Sequence, residues 1–104
     1  MLGMSTSLQT FGHIDALLLA IIARRPNHGY ALIEALRSSS DGIFDLREGT
    51  VYPALYRLER LGLVASKDAQ VDGRRRRVYT VTRAGRTALQ QRRAVWRRLA
   101  QGMR

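Results

Sequence analysis

Ile14, Leu17, Leu18, Leu19, Ile21 and Ile22 cover most of the circumference of one stretch, from Gly12 to about Arg24, and predict a helix buried on more than one side. Pro26 closes it. Asn27 is a candidate cap for a second helix, with His28, Gly29 and Tyr30 in its first turn and Leu32, Ile33 and Leu36 along one face. That helix runs out in SSSDG, residues 38–42, and IFDL, residues 43–46, alternates enough for a stub of strand. The next run, GTVYPALYRLERLGLV at residues 49–64, sets Val51, Leu55, Leu58 and Leu61 on one helical stripe at spacings of four, three and three. With Thr50 as N-cap, Pro53 takes the third helical position, where its missing N–H was an orphan donor in any case. Gly62 ends this third helix.

Two strands follow. LVASK, residues 63–67, and RRVYTVT, residues 76–82, are rich in β-branched and aromatic residues, and Asp72-Gly73 between them is a strong hairpin dipeptide. Thr82 can cap a last helix from about Arg83 to Gln101, on which Leu89, Arg92, Trp96, Leu99 and Met103 repeat every three or four residues. Such a seam suits a partner surface. The element order is that of a winged helix-turn-helix, and the roughly ten residues between the second and third helices exceed the turn of the plain motif. The expected fold is therefore mainly α with a small β-ribbon. It divides into an N-terminal arm at 1–11, a winged helix-turn-helix at 12–82 and a C-terminal dimerisation helix at 83–104.

Charge sharpens this picture. The 104 residues carry 18 Lys+Arg against 8 Asp+Glu, net +10. Residues 1–52 hold four arginines and five acids, net −1, whereas residues 53–104 hold 14 basic residues and three acids, net +11. A one-signed field over half a small chain attracts polyanions. Arg74, Arg75, Arg76 and Arg77 crowd the hairpin, and their mutual repulsion is relieved if phosphates neutralise them. On the third helix Thr50, Tyr52, Tyr56, Arg57 and Arg60 lie off the apolar stripe, offering hydroxyls and guanidiniums to phosphates and base edges. The expected partner is double-stranded DNA, because a helix of this kind fits a major groove and the ribbon reaches the neighbouring backbone. A basic RNA-binding protein and a protein-partner module are the alternatives.

Enzymatic function finds no support in the pattern. There is no phosphate loop, dinucleotide fingerprint, zinc-protease motif or nucleophile elbow, and the lone His28 at a helix start suits capping or packing. No cofactor or metal site is expected, since cysteine is absent and His13 has no ligand at a suitable spacing. The longest apolar run, residues 16–23, is far shorter than a membrane span, so the chain reads as soluble and cytoplasmic.

NHGYALIEALR, GTVYPALYRLERLGLV and DGRRRRVYTVTRAG, in this order and spacing, resemble the signature stretches of the PadR family of transcriptional regulators, over about residues 12–99. The single short last helix is similar to the small-subunit branch. The resemblance implies a homodimeric repressor on an inverted-repeat operator, relieved by an effector. It implies that Tyr30, Thr50, Tyr52 and Tyr56 approach DNA and that Arg75, Arg76 and Arg77 form the basic wing. It further implies dimer contacts by the first and last helices, hence Leu18, Ile22, Leu89, Arg92, Trp96, Leu99 and Met103. Trp96 is either a packing anchor there or a platform for a small aromatic effector, and Arg92, Arg93 and Arg97 disfavour a cationic one.

Overall fold

The computed structural model describes residues 12–39, 42 and 47–102, without the side chains of Ser39 and Trp96. The expected arm at 1–11, the strand stub at 43–46 and Met103 lie outside these residues. Helix α1 (His13–Arg24) leads into a short strand β1 (Asn27–His28), helix α2 (Gly29–Ser39) and helix α3 (Glu48–Arg60). The hairpin β2 (Val64–Val71) and β3 (Arg74–Val81) follows, and helix α4 (Arg83–Gly102) ends the described chain. The fold is a winged helix, mainly helical, with an antiparallel sheet in the order β1-β3-β2.

Local chemistry explains most boundaries. Gly62 has a positive φ of 76°, its N–H donates to the Glu59 carbonyl at 3.0 Å, and the Leu63 N–H donates to Leu58 at 2.9 Å. This paired closure terminates α3 as its sequence foretold. Asp72 and Gly73 have φ of 52° and 75°, the double positive φ of a tight hairpin turn whose twist matches the strands. Pairing consequently runs to the turn itself, Val71 opposite Arg74, so both strands are longer than expected. Thr82 caps α4: its Oγ1 accepts from the Gly85 N–H at 3.0 Å and donates to the Gly62 carbonyl at 2.6 Å. A Cβ on Gly85 would run into the Leu63 carbonyl, so only glycine lets α4 lie this close to the ribbon's base.

Three local expectations are corrected. Asn27 does not cap α2; it lies in β1 opposite Tyr79, and His28 Nδ1 accepts instead from the Ala31 N–H at 3.4 Å. Nor is Thr50 an N-cap. Helix α3 starts at Glu48, with Arg47 as N-cap and no capping side chain, which puts Pro53 a turn deeper than expected. The carbonyl deprived of a donor there is that of Gly49, an exposed residue that water can serve. Leu61 falls past the last turn and is 42% exposed; Ala54 completes the buried stripe instead.

One core joins the elements. Leu18, Leu19 and Ile22 of α1, Leu32 and Leu36 of α2, and Val51, Leu55 and Leu58 of α3 are at most 1% exposed, with Val64, Tyr79 and Leu89 closing the ribbon side. Each fully buried leucine stabilises the fold by roughly 1.5–3 kcal/mol relative to exposure. Burial pushes the Tyr79 hydroxyl above its ordinary pKa, so the phenol that anchors β3 stays neutral.

Candidate nucleic-acid interface

With Val51, Ala54, Leu55 and Leu58 turned inward, α3 presents Thr50, Tyr52, Tyr56 and Arg60 outward. Tyr52 and Tyr56 are 42% and 62% exposed, and Tyr30 of α2 is 54% exposed. Tyr52 and Tyr56, one turn apart on α3, put two large rings on one helix face, more than scattered exposure explains. Arg60 lies over the Tyr56 ring, 5.8 Å from its centroid, a contact of about 0.5–1 kcal/mol at an exposed site, which holds the guanidinium along the helix. The Tyr52 ring rests on the start of α2. A Cβ at Gly29 would sit 2.5–2.7 Å from its Cε1, Oη and Cζ atoms, so glycine is required for the contact.

Arg57, expected beside these residues as a DNA contact, is engaged elsewhere. Its Nε donates to Asp15 Oδ2 at 3.0 Å and its NH2 to Oδ1 at 2.8 Å, a two-pronged pair between α3 and the first turn of α1. The Asp15 side chain is 4% exposed against 54% for Arg57. A buried carboxylate without a partner costs on the order of several kcal/mol, so the arginine chiefly serves the aspartate. The hydrogen bonds to Asp15 raise the Arg57 pKa further and keep it charged.

On the ribbon the four arginines divide into two kinds. Arg75 lies 3.7 Å from Asp68, and Arg77 donates to Ser66 Oγ at 3.1 Å, which in turn donates to Glu59 of α3 at 2.8 Å. Alternation along β3 sends Arg74 and Arg76 to the opposite face, where neither has a carboxylate partner among the described residues. Of the four like charges on the hairpin, one thus faces a carboxylate and a second is tied through a hydroxyl to Glu59.

The residues expected at a subunit contact are not all on the surface. Leu18 and Ile22 are 0% and 1% exposed inside the protomer's own core and have no area left for a partner, because α1 packs against α2, α3, α4 and β3 of its own chain. Leu89 is likewise buried at 6%, and Arg92 is half-buried. Beyond them Val95 and Leu99, 49% and 54% exposed, form an apolar stripe on α4. The Trp96 side chain and Met103 lie outside the described residues.

The Transcriptional regulator PadR-like family model matches residues 18–91, well over half of the chain. The chain belongs to the PadR family. Its fold is similar to the PadR family transcription regulator of Clostridium difficile R20291, with 33% identity, TM-score 0.75 and coverage of 88% of this chain and 95% of that one. A PadR-like transcription factor from Bacteroides fragilis shares the fold at TM-score 0.79 over 95% of this chain and 94% of that one, at 23% identity. Transcriptional regulator Rv3488 of Mycobacterium tuberculosis is 54% identical over 52 residues, which span 50% of this chain and about half (49%) of that relative. PadR proteins are transcription regulators that bind DNA and are not enzymes.

For this PadR chain the sequence pattern missed Asp15, Gly29 and the Glu59–Ser66 link. A single carboxylate amid the apolar residues of α1 was the one visible signal for Asp15, and nothing local pairs it with an arginine 42 positions away. Among the described residues no group of three or more His, Asp or Glu could hold a metal ion, and no helix is long and apolar enough to cross a membrane.

Proposed function

We propose that this PadR regulator is a homodimeric repressor that binds an inverted-repeat operator in the cytoplasm. The observation that carries the reading is the exposed Thr50-Tyr52-Tyr56-Arg60 face of α3, set beside a hairpin whose Arg74 and Arg76 have no carboxylate partner among the described residues. A major groove about 12 Å wide admits α3, while the hairpin lies along the phosphates. Residues 12–82 act as the DNA-binding unit, residues 83–104 as the dimerisation helix, and residues 1–11 as an arm. The subunit contact uses the exposed Val95 and Leu99 stripe with Trp96, against half-buried Leu17 and Ile21 of α1, in place of Leu18 and Ile22. A small neutral or anionic aromatic effector, stacked on Trp96 between subunits, relieves repression; Arg92, Arg93 and Arg97 repel cations there.

The test is capture of genomic duplex fragments by the purified protein, followed by titration of the best fragment at several salt concentrations. A palindromic site with half-sites about 10 base pairs apart, or a multiple, and a steep salt slope are expected. Equal binding to every duplex, or tighter binding to RNA, would sink the operator reading.

Gly29→Ala supplies a finer check. Gly29 is the first residue of α2 and the atoms nearest the added methyl group are the far end of one exposed side chain, so the melting temperature changes little. The new methyl group nevertheless evicts the flexible Tyr52 ring, so affinity for the captured site falls about tenfold while affinity for random duplex holds. An unchanged ratio of the two would remove Tyr52 from the readers.

A further inference from the structure

The interior of the fold holds α3 by leucines, and apolar packing is non-directional. Val51, Ala54, Leu55 and Leu58 in the shared core fix which face of α3 turns inward, but helix packing of this kind tolerates a scatter of about 15–20° in orientation. Two polar attachments supply the missing direction. At about 3.6 residues per turn, Tyr52, Tyr56 and Arg60 form one stripe, with Arg57 on one flank and Glu59 on the other. Arg57 reaches Asp15 of α1, and Glu59 reaches Ser66 and through it Arg77 of the wing.

We propose that Arg57 is a positioning residue: the Asp15–Arg57 pair sets the roll of α3 so that Tyr52, Tyr56 and Arg60 enter the groove in register, and Arg57 itself touches no DNA. The inference rests on the DNA-binding reading above. A planar guanidinium joined by two parallel N–H···O bonds, here 2.8 and 3.0 Å long, constrains orientation as well as distance, which an ammonium does not. The buried end of the pair is Asp15, and its carboxylate is anchored in the first turn of α1, where the helix dipole favours an anion. Arg60, stacked on Tyr56 and three residues beyond Arg57, is the arginine of α3 left for the nucleic acid.

The experiment compares Arg57→Gln, Asp15→Asn and their double variant with Arg60→Gln on the best captured duplex and on a random duplex, across salt concentrations. Arg57→Gln and Asp15→Asn are each expected to lose about tenfold or more on the captured site and little on random DNA. The double variant should be no worse than the poorer single one, and the salt slope should stay at the wild-type value. Arg60→Gln should lower the slope by about 0.9 on both duplexes. If Arg57 instead contacts a phosphate, Arg57→Gln lowers the slope by about 0.9, and Asp15→Asn, which releases the guanidinium, binds as well as wild type or better. That pair of results would overturn the proposal. Should Asp15→Asn melt below the assay temperature, Arg57→Lys decides: it keeps the charge but loses the fork, so positioning predicts lost discrimination at unchanged slope, and phosphate contact predicts near-wild-type behaviour. A wild-type protein with no salt-dependent duplex binding would instead remove the DNA reading and the proposal together.

Discussion

Replacing Arg74 and Arg76 together by alanine is expected to lower the slope of log Kobs against log salt by about 1.8 and to weaken binding to any duplex by about 30-fold at about 0.15 M salt. The magnitude follows from counterion release of about 0.9 per neutralised phosphate, which at that salt concentration amounts to about 0.7 log units each. The choice of residues follows from strand register. Arg74 and Arg76 pair with Val71 and Ala69 across the hairpin, on the face away from Asp68, whereas Arg75 and Arg77 lie on the side that carries Asp68, Ser66 and Tyr79. An arginine already facing a carboxylate gives up part of its attraction for phosphate, so the Arg75→Ala, Arg77→Ala double variant should change the slope less. It should also loosen the wing from α3, since Arg77 is one end of the chain through Ser66 to Glu59. Fluorescence anisotropy with a labelled duplex over a salt series separates the two pairs. Equal slope changes for both would show that the internal ion pairs dissolve on binding, and no change in either would take the wing off the DNA.

Much of this architecture was legible because it is locally encoded. Asp72-Gly73 requires nothing beyond its own backbone to turn the hairpin, Gly62 likewise ends α3, and Thr82 caps α4 from the adjacent position. The strand β1 was not legible. Two polar residues, Asn27 and His28, carry no alternation, and they become a strand only because β3 offers an open edge beside them. The division among the arginines was equally hidden. Sequence shows four in a row on the hairpin and Arg57 and Arg60 on one helix, but which are compensated depends on cross-strand register and on Asp15, 42 residues from its partner. Tertiary placement also decided α1. Its apolar residues signalled burial on several sides, yet whether Leu18 and Ile22 faced a second subunit or the chain's own α3 could not be read from periodicity, and they face the core.

Leu58→Ala is expected to destabilise the protein by about 2–5 kcal/mol, and Leu61→Ala by no more than about 0.5 kcal/mol, although both leucines sit on the same stripe in the sequence. Leu58 is 0% exposed in the middle of the core, so truncation removes its transfer free energy and leaves a cavity among close-packed neighbours. Leu61 is the C-cap residue of α3, where the chain has begun to turn toward Gly62, and its side chain is 42% exposed. At about 4–8 °C per kcal/mol for a domain near this size, the first change lowers the melting temperature by more than about 8 °C and the second by less than about 4 °C. In the proposed homodimer subunit association would stabilise the folded state by mass action, so melting must be compared at one protein concentration. That dependence gives the comparison its second use. A large loss for Leu61→Ala that shrinks on dilution would mean that a partner subunit covers Leu61, moving the dimer contact to the end of α3. A loss equal to that of Leu58→Ala at every concentration would return Leu61 to the core that its spacing first suggested.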